Sequence, residues 1–123
     1  MSVDLISTID TSGTRVVPDP GSYSGASPGW TEEEFRAFEL DNGSLGGLWR
    51  GEPGQVSFDS WPYTEVCVLL SGHIAIEDES GGRRDFHDGA AFVIPEGFRG
   101  TWITVRPTEK IFVGVCGSVS THS

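Results

Sequence analysis

A chain of 123 residues is long enough for one domain with a real core and too short for two ordinary ones; its 17 Gly and 7 Pro, spread between short apolar segments, predict many turns joining many strands. Eighteen acidic residues against 8 basic leave a formal net charge of −10, a field that repels phosphate backbones and anionic lipid surfaces and so argues against nucleic acid and membrane as partners. No window approaches the roughly 20 apolar residues of a membrane helix.

Met1 to Thr14 carries neither a basic leader nor a signal-peptide core, which predicts a cytoplasmic protein. Residues 1–30 are rich in Ser, Gly, Pro, Thr and Asp and read as an arm. Its one apolar patch, Arg15-Val16-Val17-Pro18, suits an edge strand laid on a neighbouring subunit, because Pro18 and Pro20 cannot donate to a ladder; Trp30 pins the end. Thr31 and Glu34 have capping-box spacing, yet Phe35 to Leu40 alternates as a strand does, and the strand is favoured over the helix.

Short strands then recur between turns. They run over 45–50, 55–59, the central stretch to Gly72, 73–78, 83–87, 90–94, 100–106 and 110–116, with turns at Asp41-Asn42-Gly43, Glu52-Pro53-Gly54, Ser80-Gly81-Gly82, Asp88-Gly89, Pro95-Glu96-Gly97 and Pro107-Thr108-Glu109. That spacing predicts an all-β sandwich or barrel over 31–116, followed by a frayed polar tail at 117–123. Cys67 and Cys116 sit in apolar segments without the spacing of a zinc or redox motif and are expected to be reduced core residues.

The central stretch is Trp61 to Gly72. Val66 to Leu70 is a continuous apolar run, which predicts a strand buried on both faces. Period-two alternation puts Trp61, Tyr63, Glu65, Cys67 and Leu69 on one face. Glu65 among aromatics is either a carboxylate satisfied by backbone N–H groups or a rim arginine, or a functional acid in a pocket.

Gly54, then Glu65 with Gly72 seven positions later, then Gly89 followed by Pro95-Glu96-Gly97, resemble the two sequence motifs of the cupins in order and separation. The surrounding Tyr63-Thr64, Phe98 to Trp102 and Lys110 to Phe112 segments are similar to small single-domain cupins, such as the cupin domains of ureidoglycine aminohydrolase and ethanolamine-utilisation proteins. The resemblance implies a double-stranded β-helix, or jelly roll, with its site inside the barrel and a homodimeric assembly. It also exposes a departure. The positions where metal-binding cupins carry histidines fall here on Asp59 and Trp61, or on Phe58 and Ser60, and on Gly100. His73, His87 and His122 lie elsewhere, and Glu65 with at most Asp59 beside it makes a poor ligand set, so no metal and no cofactor is expected.

The face carried over from the family would line a pocket with Trp61, Tyr63, Glu65, Cys67, Trp102 and Thr104, suited to an unknown small molecule. Three readings stay open. The pocket binds a flat ligand by stacking without chemistry; or Glu65 and Tyr63 act as metal-independent acid/base groups in an isomerase, lyase or aminohydrolase-like reaction; or the aromatics plug the barrel of a structural dimer. Burial would raise the Glu65 pKa, whereas Arg50, Arg99 or Lys110 nearby would lower it. Lys110, the only lysine, is read as an ion-pair partner of an acidic neighbour rather than a catalytic amine, and His87 beside Asp88 as a solvent-exposed pair.

Overall fold

The structure is a computed structural model and describes residues 1–117. After single 3-10 turns at Val3–Leu5 and Pro20–Ser22, nine strands follow: β1 (Thr14–Val16), β2 (Gly25–Ala26), β3 (Glu32–Glu39), β4 (Leu45–Gly51), β5 (Gly54–Phe58), β6 (Thr64–Asp78), β7 (Arg83–His87), β8 (Ala91–Ile94) and β9 (Gly100–Val115). The Phe35–Leu40 alternation therefore wins over the capping-box spacing at Thr31. The predicted tail falls outside the described residues from 118 onward, as does His122.

Two long strands organise the barrel. β6 and β9 run antiparallel along their whole length, from Thr64 opposite Val115 to Asp78 opposite Gly100. One half of this ladder extends through β8 on one side and β4, β3 and β1 on the other. The other half extends through β7 and through β5 and β2. The ladder bends between the halves, so one curled sheet faces itself in the jelly-roll manner.

The bend corrects two expectations. Gly72 does not close a strand, and Pro107-Thr108-Glu109 is no chain reversal: β6 and β9 pass through both as corners. Their register slips between Leu69 and Ile74, which marks a bulged corner. Gly72 sits there with φ +116°, and an added Cβ would collide with Thr108. Pro107, which has no N–H, falls where the ladder is already interrupted.

The central run is also corrected. Cys67 and Leu69 are fully buried, but Val66 is 38% and Leu70 46% exposed. Only one face is buried within the chain, because β6 is backed by inward packing alone; its apolar outer face lies beside Val93 and Val113, both opposite Val66. The patch at Arg15 does form an edge strand, against β3 of its own chain. The core joins Trp30, Trp49, Trp61, Trp102, Leu69, Ile74 and Phe112 between the two halves.

Candidate functional site

The site is built from β3, β4, β6 and β9. Alternation aims Glu65 and Cys67 inward from β6; the register that sets Lys110 opposite Leu69 and Trp49 aims its side chain inward from β9. Glu65 and Lys110 are 4% and 5% exposed. Lys110 Nζ donates to Glu65 Oε2 at 2.5 Å, Cys67 Sγ donates to the same oxygen at 3.1 Å, and Trp61 Nε1 donates to Oε1 at 3.0 Å. The partners of Glu65 are thus side chains from its own face and one lysine, neither backbone amides nor a rim arginine. Arg50 pairs with Glu109, and Arg99 lies at the surface near Glu79 and Asp59.

Aromatic faces complete the lysine's surroundings. Its ammonium stands 3.9 Å from the Trp102 ring centroid and 4.7 Å from that of Trp49, a cation–π arrangement in a desolvated place. Burial by itself would raise the Glu65 carboxyl, but the Lys110 charge and the hydrogen bonds from Lys110, Trp61 and Cys67 hold it below the ordinary glutamate value. Burial would likewise lower Lys110, and the neighbouring Glu65 carboxylate reverses this, so the amine stays protonated. Burial pushes the Cys67 thiol well up.

In front of this pair lies a hollow of about 60 Å³. Trp61, Tyr63, Glu65 and Trp102 line it. Cys67 and Thr104 do not: Cys67 lies fully buried against Glu65 and Lys110, and Thr104 accepts the Trp102 Nε1 hydrogen at 3.0 Å, bracing the indole from behind. The Tyr63 ring packs on Gly114, where a Cβ would come within 2.8 Å of it. Burial, then the nearby Glu65 charge, pushes the Tyr63 phenol far up, so it is a neutral hydroxyl.

The structure adds residues the sequence reasoning missed. Glu32, Glu34, Tyr23, Trp30 and Trp49 also line the hollow. Glu34 pairs with Arg36 at 2.9 Å, and burial raises its carboxyl despite that partner. Glu32 accepts Trp49 Nε1 at 3.0 Å and also the Trp30 indole hydrogen. It takes part in no ion pair among the described residues. Glu32 and Glu34 alternate at the start of β3, ahead of the Phe35 to Leu40 segment that the sequence marks as a strand. Their convergence with Glu65 depends on a pairing that no local spacing encodes.

The metal that cupins often hold does not suit these residues. Glu65 is saturated by three donors, one of them a fixed ammonium, and Asp59 is a surface residue 3.9 Å from Arg99. Among the described residues no three His, Cys, Asp or Glu side chains converge as a ligand set. His73 instead contacts Asp85 at 2.6 Å through Nε2 and packs against His87, ring centroids 4.1 Å apart, on the far half of the barrel. His87 is exposed.

Comparisons with known proteins agree with this architecture. The EutQ-like cupin domain family matches residues 38–112. The structure is similar to the EutQ protein of Clostridium difficile (17% identity, covering 93% of this chain and 96% of that one, TM-score 0.68). It is also similar to a putative ethanolamine utilization protein Q of Salmonella typhimurium (19%, 87% and 96%, TM-score 0.63). A protein of unknown function from Pseudomonas syringae pv. tomato superimposes with TM-score 0.73 at 18% identity, covering 87% of this chain and 46% of that one. No curated protein matches the chain. No helix among the described residues is long and apolar enough to cross a membrane.

Proposed function

From the premise that this chain belongs to the EutQ-like cupin domain family, we propose that it is a metal-independent small-molecule-binding protein whose barrel hollow takes a small cationic ligand. One observation carries this reading. Of the three glutamates facing the hollow, Glu65 has Lys110 and Glu34 has Arg36, while Glu32 has no cationic ion-pair partner among the described residues. A buried or half-buried carboxylate is stabilised by a cation, and a ligand ammonium or amidinium supplies it. The surrounding indoles offer the faces on which such a cation rests. A volume of about 60 Å³ admits only a few heavy atoms, since each water occupies about 30 Å³.

The acid/base reading has less support. Both oxygens of Glu65 are engaged, its carboxyl is shifted away from neutrality, and the Tyr63 phenol is shifted further up. The small volume favours a second reading, a structural protein with a plugged barrel. In either case the apolar outer face of β6 and β8 is the surface a second copy covers, giving the homodimer that the family resemblance implies.

Titration of the protein with methylammonium, guanidinium and ethanolamine, with propanol and acetate as controls, separates these readings. Ethanolamine is included because a structural neighbour is named for its utilization. A binder shows tryptophan quenching by the cations alone, recovery of the ligand intact, and a loss of affinity of about tenfold in Glu32→Gln. An altered product indicates an enzyme; absence of any response to all five compounds indicates the plug.

A further inference from the structure

A larger cavity than this hollow lies elsewhere. β7 and β8 are the free edges of the two barrel halves on the side away from β4 and β5. Phe86 stands opposite Ile74, and Phe92 opposite Cys67, so both point inward across the gap. Their rings stack at 4.0 Å and 18°, closing the barrel between the edges. Outside this stack opens a cleft of about 630 Å³ whose walls include Ile76, Arg84, Phe86, Phe92, Ile94 and Phe98. That volume falls in the roughly 300–1,000 Å³ range of small-molecule sites.

The chemistry of the cleft is simple. Its lining is mostly aromatic and aliphatic, with Asp78, Arg83 and Arg84 as its polar side chains, so it matches an apolar body that carries one charged group. Among the described residues Arg84 is the one lining cation free to serve it. Its guanidinium lies 5.0 Å from the Phe86 centroid and makes no hydrogen bond or ion pair among the described residues. The adjacent Arg83 is held by Asp85 through two bonds of 3.0 and 3.2 Å. Asp78, at the cleft's end, is occupied capping its turn through Ser80 and Gly82. In a chain of net charge −10, an unpaired arginine stacked above an apolar cleft is a selective anchor for one anionic group.

We infer that the β7/β8 cleft is a second ligand site, taking an amphipathic carboxylate whose apolar tail lies against Phe86 and Phe92 while Arg84 holds its head. It is distinct from the hollow at Glu65. Phe92 against Trp102 (6.4 Å) and Phe98 against Trp61 (5.9 Å) separate the two, and the glutamates of the hollow repel an anion.

Octanoate is the test ligand for the full chain, followed by calorimetry and amide chemical shifts, with octanol and octylammonium as neutral and cationic counterparts. Octanoate should bind saturably with a Kd below about 1 mM, shifting the amides of Phe86, Phe92 and Ile94. Octanol should bind about tenfold more weakly or worse, and octylammonium not at all. Arg84→Gln, an exposed substitution, should erase the difference between octanoate and octanol, and Arg84→Lys should retain part of it. Equal affinity for octanoate and octanol, an unchanged Arg84→Gln, shifts confined to the Glu32 and Lys110 region, or no binding up to about 10 mM would each overturn the assignment. A failure here leaves the cation reading of the hollow untouched, because the two sites take ligands of opposite charge.

Discussion

Lys110 and Glu65 meet 2.5 Å apart in the interior of the barrel, 43 to 45 residues separating β9's lysine from the Cys67 and Glu65 it contacts on β6. The pair occupies the place at which the family resemblance would put a metal cation beside the motif glutamate. A charge deep in a protein is costly to desolvate, and here the cost is offset by three donors on the carboxylate and two indole faces on the ammonium. The only lysine of the chain is therefore a structural counter-charge at the site.

Removing one partner is expected to be far worse than removing both. Lys110→Met leaves Glu65 buried with no cation and should lower unfolding free energy by about 3–5 kcal/mol. The double variant Glu65→Gln with Lys110→Met should lose much less than the two single losses combined. Urea denaturation of the four proteins in a double-mutant cycle measures the coupling; additive losses would show that the two side chains stand independently.

Acid should unfold the protein partly through the same pair. With its folded value held below the ordinary glutamate value of about 4.3, Glu65 contributes stability that is complete above that value and is lost as pH falls through the folded one. Lys110, shifted upward, contributes stability that is complete below about 10.4 and is lost as pH rises through its folded value. Glu34 acts oppositely: raised by burial, it detracts from stability at neutral pH and less so in acid. Denaturation midpoints measured between roughly pH 3 and 7 should fall in acid for the wild-type chain and fall less for the Glu65→Gln, Lys110→Met double variant. Parallel curves would remove Glu65 as a source of acid lability.

The corner at Gly72 tolerates no side chain. Gly72→Ala combines φ +116° with a collision against Thr108 on the paired strand, and should cost about 2–4 kcal/mol. A thermal midpoint within a degree or so of wild type would mean the corner can relax around a Cβ.

The outer face of β6 and β8 should carry the dimer contact. Val66 and Val93 stand opposite one another and are 38% and 59% exposed in the single chain. Val66→Lys should convert a dimer to monomers in sedimentation while leaving the circular dichroism of the barrel unchanged, because the side chain already faces outward. A wild-type protein that sediments as a monomer would refute the assembly directly.

Much of the barrel was legible in order along the chain. The glycine-marked turns, the two motifs around Glu65 and Gly89, and the alternation that faces Glu65, Cys67 and Leu69 the same way are local properties, set by backbone geometry within a few residues. The corners at Gly72 and Pro107 were not. Both residues are ordinary strand-enders locally, and only the continuing β6–β9 ladder makes them bends. Nor could periodicity alone distinguish a strand buried twice from one whose second apolar face is exposed in the single chain, as with Val66 and Leu70.

The site divides in the same way. Sequence alone put Glu65 on one strand face with Cys67 and Leu69 and showed that the usual histidines are missing, because side-chain parity and residue identity need no partner strand. Tertiary structure decided what Glu65 does there: the register of β9 brings Lys110 to it, and β3 brings Glu32 and Glu34 to the same hollow. Electrostatic function depends on distances of a few ångströms between residues far apart in the chain, and strand pairing sets those distances.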